Sequence, residues 1–135
     1  MALSADRQIK RRDGVNYSDP VAANTRIFLG ALVVLNAAGN AAPGSAATGL
    51  KARGVALDQV DNLTGAAGDK RVETRTGVFP FKNSSSADLI ARADIGADCY
   101  IVDDETVAKT SASNTRSIAG KIVDIDSAGV WVKIG

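Results

Sequence analysis

No stretch of this sequence keeps apolar residues on a helical spacing for more than one or two turns. Its apolar residues fall instead into short runs broken by Gly, Asn, Asp and Ser. The clearest run, "RVETRTGVFPF" (71–81), sets Val72, Thr74, Thr76 and Val78 against Arg71, Glu73 and Arg75. A period of two places alternate side chains on opposite faces, so this segment predicts a half-buried strand with one wet face. "TRIFLGALVVL" offers two further strand segments around Gly30, and "KARGVALDQV" (51–60) another, with Gly54 open to a bulge or a close backbone approach. "DCYIVDDETVAKT" (98–110) reads as a hairpin with its acids in the bend, and "RSIAGKIVDIDSAGVWVKIG" (116–135) as a second, turning at Ser127–Gly129. In that last hairpin Ile122, Asp124 and Asp126 share one face, and Val123 and Ile125 the other. Asn36–Gly44 and 61–70 read as loops. "SSSADLIARADIG" (84–96) is the helical exception, with Ser86 as N-cap and Leu89 and Ile90 facing inward. Many short strands between turn-rich loops predict an all-β chain, a small barrel or sandwich with a minor short helix.

At 135 residues the chain has the length of one domain, and 45% hydrophobic residues suffice for one core. Ala, Val and Ile supply most of that fraction and aromatics only 4%. Side chains this small bury little area each, at ~25 cal/mol per Å². Such a core is expected to be thin, which points toward an oligomer or a protein docked on a larger body.

Several function classes lose their chemistry here. A net charge of +1 gives no global field toward nucleic acid or an anionic membrane. The longest apolar run, residues 27–35, is about half the ~18 residues a bilayer span needs, and no signal-peptide pattern follows the basic residues 10–12. The single cysteine, Cys99, allows no internal disulfide and suits synthesis in a reducing cytoplasm. With no histidine and one cysteine, the usual zinc sites and the His-assisted nucleophile systems cannot be assembled. No catalytic residue, cofactor or metal is assigned. Asp103-Asp104-Glu105 lacks the spaced ligands and glycine of a calcium loop and reads as a solvated bend. Asp124 and Asp126 read as the wet face of a strand. Cys99 has no basic neighbour to activate it and reads as core, as does Trp131. "GNAAPG" and "GAAG" match no phosphate-binding spacing.

Residues 1–24 carry a different pattern. "SADRQIKRRDGVNYSDP" (4–20) has a basic run, one bulky aliphatic residue and then turn formers, too little apolar surface to fold alone. Ser4 could cap a short helical turn through Asp6–Arg12, marginal in water at that length. The segment reads as an extended arm, either disordered in the free protein or docked on another surface, and 25–135 as the β-rich domain. Arg7, Ile9, Lys10, Arg11, Arg12 and Tyr17 are its candidate contact residues. The cations could meet phosphates, but Asp6 and Asp13 dilute them and only Tyr17 supplies an aromatic ring, so nucleic acid is disfavoured.

Four stretches carry a resemblance: "ALVVLNAAGN" with its small-residue loop, "ARGVALDQVD", "RVETRTGVFPFKNS", and the tail "ADIGADCYIVDDETVAKT…AGKIVDIDSAGVWVKIG". Over Thr25–Gly135 the chain resembles the head decoration (capsid cement) proteins of Mu-like and lambda-like tailed phages. The resemblance implies a small β-rich protein on the outer surface of the expanded capsid, made in the bacterial host cytoplasm. It further implies binding that bridges major capsid protein subunits, as a homo-oligomer (a trimer at three-fold sites in lambda-like members, dimers in others). The arm would then be the capsid-binding strap, with no membrane partner and no catalytic residues to carry over. Other readings remain: a head–tail connector or tail-associated β protein, a module gripping nucleic acid through the arm, or a small enzyme using Asp124/Asp126 or Asp103/Glu105.

Overall fold

The computed structural model describes residues 2, 4–10, 12 and 14–135. Among these the chain forms twelve strands: β1 (Asn16–Pro20), β2 (Thr25–Ile27), β3 (Leu32–Leu35), β4 (Ala41–Pro43), β5 (Lys51–Ala56), β6 (Val60–Asn62), β7 (Arg71–Arg75), β8 (Gly77–Phe81), β9 (Asp98–Ile101), β10 (Val107–Ala108), β11 (Ile118–Asp126) and β12 (Gly129–Ile134). The fold is all-β, with short 3-10 turns at Ser86–Asp88 and Arg92–Asp94.

β3 is apolar throughout because it buries both faces. Leu32 and Val34 enter one cluster with Phe81, Ile101, Ile122, Val130 and Val132, while Val33 enters a second with Val21, Ile27, Ala41, Val60 and Val72. A strand with no wet face has no alternation to show, which is why "LVVL" reads as a continuous run. Around it stand two five-stranded antiparallel sheets, ordered β1-β7-β5-β3-β4 and β10-β9-β11-β12-β8, and a β2–β6 ribbon.

The outer strands of each sheet meet through one parallel bridge. Val21, just past β1, bridges Ala41 at the start of β4, with the Ala22 N–H donated to the Ala41 carbonyl at 2.9 Å. Lys82, just past β8, bridges Thr106 before β10, its N–H donated to Glu105 and its carbonyl accepting from Val107. All three prolines lie in outer strands: Pro20 in β1, Pro43 in β4 and Pro80 in β8. A residue without an N–H cannot serve a central ladder. Proline therefore marks three of the four seam strands and limits further pairing there.

The alternating segment 71–81 is two strands rather than one. Val72 and Thr74 are buried in the first sheet; the chain then turns at Gly77, whose φ of +150° favours glycine, and enters the second sheet. The turn changes the parity, so Val78 is exposed and Phe81 is buried. Gly54 performs the close approach expected of it. A Cβ there would lie 2.6 Å from the Arg75 carbonyl oxygen, and the β3–β5 register shifts between Val33 and Val34.

Four further expectations are corrected. Ala41–Pro43, within the expected loop, is β4. At 84–96 the short helical stretch consists of two separate 3-10 turns, Ser86–Asp88 and Arg92–Asp94, and not of a continuous helix capped at Ser86. Asn83 instead accepts the N–H groups of Ser84 and Ile90 and donates to the Ile90 carbonyl, so its side chain replaces helical bonds. Ser86 has φ +57° rather than a cap conformation, and Leu89 is exposed while Ile90 is buried. In β11 a register shift between Ile122 and Asp124 turns Val123 outward and lets Ile125 pack on the core. Finally, the sheet begins at Asn16, inside the segment expected as arm, and the described residues of 4–12 contain no helical turn.

Because β3 serves both clusters, Leu32→Ala is expected to cost ~2–5 kcal/mol of unfolding free energy. Gly54→Ala is expected to destabilise as well, by forcing β5 away from the Arg75 carbonyl. Urea unfolding of both variants beside the wild type checks the pair.

Candidate functional site

The segment that carries the basic run leaves the body at one well-tied point. The Val15 carbonyl accepts from the Thr76 N–H at 2.8 Å and from the Thr76 hydroxyl at 3.2 Å. The Tyr17 hydroxyl donates to the Gly14 carbonyl at 3.1 Å. From there β1 runs in register with β7, Asn16 opposite Arg75 through Pro20 opposite Arg71. Arg53 locks it from beneath. Its guanidinium lies 3.7 Å from the Tyr17 ring centroid and donates twice to Asp19, at 2.8 and 3.2 Å.

This arrangement divides the six expected arm residues. Tyr17 belongs to the sheet. Arg7, Ile9, Lys10 and Arg12 lie in exposed chain without helix or strand, Ile9 with 73% of its surface open. Arg11 lies outside the described residues. Among the described residues no ion pair involves Arg7, Lys10 or Arg12, whereas Arg26, Arg53, Lys82, Arg92, Lys109, Arg116 and Lys121 each have a carboxylate partner. Arg12 borders a cleft of about 280 Å³ with Asn16, Tyr17, Ser18, Leu57 and Glu73.

One residue beyond Leu57, the backbone of Ala56 is tied to a second cleft. The Gly30 N–H donates to the Ala56 carbonyl at 3.0 Å, and the Ala56 N–H to Ala31 at 2.9 Å. The turn between β2 and β3 closes with the Ala31 N–H on the Phe28 carbonyl and leaves Phe28 and Leu29 projecting, 53% and 67% exposed. Across a space of about 260 Å³ stand Asp104 and Glu105. The Asp104 carbonyl accepts from Leu32, and the Asp103 carboxylate caps the bend through the Glu105 N–H at 2.9 Å. Glu105 is paired with Lys82 at 2.8 Å. No ion pair among the described residues engages the Asp104 carboxylate. Partial burial, with Asp103 and Glu105 beside it, pushes the Asp104 carboxyl above its ordinary range. The bend expected to be merely solvated therefore forms one wall of a cleft whose other wall is apolar.

A third and larger cleft, about 470 Å³, lies among Thr48–Leu50, Tyr100 and Ser111–Ile118. It borders a feature that the sequence does not announce. Ala112, Ser113 and Asn114 are consecutive left-handed residues, at φ of 50°, 60° and 65°, a conformation costing roughly 1–2 kcal/mol per residue. The turn is held by the Thr115 N–H and the Arg116 N–H on the Ser111 carbonyl. It is held further by Asp88, which accepts from Thr110 and pairs with Arg116 at 3.2 Å. The Thr110 hydroxyl, then Arg116, holds the Asp88 carboxyl below its usual range.

The remaining candidates fall into local structural contacts. Asp124 pairs with Arg92 at 3.2 Å and accepts the Ile125 N–H; Asp126 accepts the Ala128 N–H. The Trp131 indole N–H, followed by that turn amide, keeps the Asp126 carboxyl below its ordinary range. Cys99 is fully buried, and its thiol is pushed up to about 12 by burial. Among the described residues no cluster of three His, Cys, Asp or Glu stands where it could hold a metal, and no helix is long and apolar enough to cross a membrane. Comparison with known families, curated proteins and solved structures finds no match for this chain.

Cys99 should resist thiol reagents in the folded protein at neutral pH, because both access and the thiolate are suppressed. Ellman titration is expected to read almost no free thiol natively and one per chain in denaturant.

Proposed function

We propose that this chain is a head decoration (capsid cement) protein of a tailed phage. It binds the outside of the expanded capsid and bridges major capsid protein subunits, as a homo-oligomer with a trimer the leading arrangement. The observation that carries the reading is the contrast between the described residues before Val15 and the β body to which Val15 ties them: Arg7, Ile9, Lys10 and Arg12 are exposed, lie in neither helix nor strand, and their cations make no ion pair among the described residues. Chain without helix or strand gains order against another surface, commonly by adding a strand to a sheet. Its cations favour an acidic shell surface, and Ile9 supplies an apolar contact.

The energetics suit such a role. A ligand that binds only the expanded shell stabilises that state by mass action. A bivalent or trivalent binder gains further by engaging several sites at once. Another virion component, such as a head–tail connector or a tail-associated β protein, is the alternative; ring stoichiometry in assembled particles would favour it.

The test is co-sedimentation with expanded empty capsids from the same source. The comparison is between the full chain and a form lacking residues 2–12, a cut that spares the Val15–Thr76 anchor. Saturable binding by the full chain, weakened at least about tenfold by the deletion (~1.4 kcal/mol), is the expected result. Binding that survives the deletion would move the contact onto the β body, and absence of binding by either form would remove the decoration reading.

A further inference from the structure

The cleft of about 470 Å³ beside the left-handed turn is shaped by three separate features. The first is in its floor. Tyr100 in β9 stands opposite Ile118 in β11, and the register then shifts between Ile118 and Gly120. Such a shift re-aims the side chains of the strand that carries it. Cys99, Ile101 and Ala119 are buried, while Ile118 is exposed beside the half-buried Tyr100. An aromatic and an aliphatic side chain therefore lie together on the outer face of the sheet.

The second feature is in one wall, where Ala112, Ser113 and Asn114 are all left-handed. Residues other than glycine hold that conformation only where their surroundings impose it, and such positions concentrate at functional sites. The Asn114 N–H donates to the Ser111 hydroxyl at 3.1 Å, which keeps both residues at the cleft. The third feature ties the two walls together. The buried Ser117 hydroxyl accepts the Leu50 N–H at 3.0 Å and donates to the Ala47 carbonyl at 2.7 Å. Residues 48–50 and 111–118 are thereby held at a fixed spacing, and the cleft exists before anything enters it. A preformed site spends little binding free energy on ordering itself.

The lining defines the guest. Hydroxyls at Thr48, Ser111 and Tyr100 and the amide of Asn114 can each donate and accept. Arg116 is the one charged residue along the cleft among the described residues, and its guanidinium is engaged by Asp88 at 3.2 Å and by the Thr110 carbonyl. That pairing leaves little net field to select an anion or a cation. A matching guest is uncharged, has an apolar face for Tyr100 and Ile118, and carries hydroxyls around its edge. A pyranose ring has all three properties.

We propose that this cleft binds a neutral saccharide. One pyranose ring lies with its C–H face on Tyr100 and Ile118, and its hydroxyls exchange hydrogen bonds with Thr48, Ser111 and Asn114. The site stands apart from the decoration reading, and the test of either leaves the other undecided.

Amide NMR titration of the isotope-labelled full chain reads the proposal. Methyl glucoside, N-acetylglucosamine and maltotriose are the probes, each taken to ~50 mM, a range that covers millimolar affinity. At least one is expected to give saturable shifts concentrated at Thr48–Leu50, Tyr100 and Ser111–Ile118. Tyr100→Ala should weaken binding at least about tenfold, and Tyr100→Phe by less, because the ring remains. Asn114→Gly removes the amide while keeping a residue suited to left-handed backbone, and should also weaken binding. Unchanged resonances away from the cleft report that each variant is folded. Inorganic phosphate, the charged probe, should leave the cleft resonances in place. Absence of saturable shifts with all three sugars overturns the proposal. So do shifts that cluster elsewhere, phosphate binding in the cleft, or sugar binding that survives both Tyr100→Ala and Asn114→Gly.

Discussion

The structure depends on one strand having no wet side. Leu32, Val33 and Val34 are each fully buried, and they point alternately into the two clusters that hold the two sheets. A chain this poor in aromatics has few large side chains with which to build a core; beside Phe81, the largest buried ones are Ile and Leu. Sharing β3 lets two thin cores use the same wall, so no separate strand is needed for each. The shared wall also couples the sheets. Strain or cavities at β3 reach both, whereas a change at Val60 or Ile134 touches one.

Closing each sheet on a single bridge is the second constraint. Open edges carry unpaired N–H and C=O groups that template association with other chains. Here the seam strands meet at Val21–Ala41 and Lys82–Thr106, and proline occupies three of the four. Each seam is closed by one bridge, and proline limits further pairing on three of its four strands.

How far the sequence revealed this follows from where the deciding forces lie. The hairpins of β9–β10 and β11–β12 were legible because alternation and turn residues are local signals. β4 was not, since Ala41-Ala42-Pro43 has no strand preference of its own and is a strand through pairing with Val33–Leu35. β1 was hidden for a similar reason. Asp19 and Pro20 read as turn formers, yet the Arg53 fork on Asp19 and its stacking on Tyr17 fix that stretch against the sheet from 34 residues away. The 71–81 alternation was read correctly in period and wrongly in continuity, because nothing local says that Gly77 hands the chain to another sheet. The left-handed turn at 112–114 had no local signal in Ala112 or Ser113. For the candidate site, the basic run and Ile9 stood out in sequence. The cleft did not, because Phe28-Leu29 and Asp104 are brought together by long-range contacts such as the Leu32–Asp104 backbone bond.

That bond also bears on what the cleft can do. The Leu32 N–H holds the acidic bend at 2.9 Å from the strand that organises both cores. The wall carrying Asp104 is therefore fixed by the most buried part of the molecule and does not hang on a loose hairpin tip. The facing wall is fixed as well, through Gly30 and Ala31 on Ala56. A cleft with two such walls is set by the strands that carry the cores and not by the conformation of a free loop.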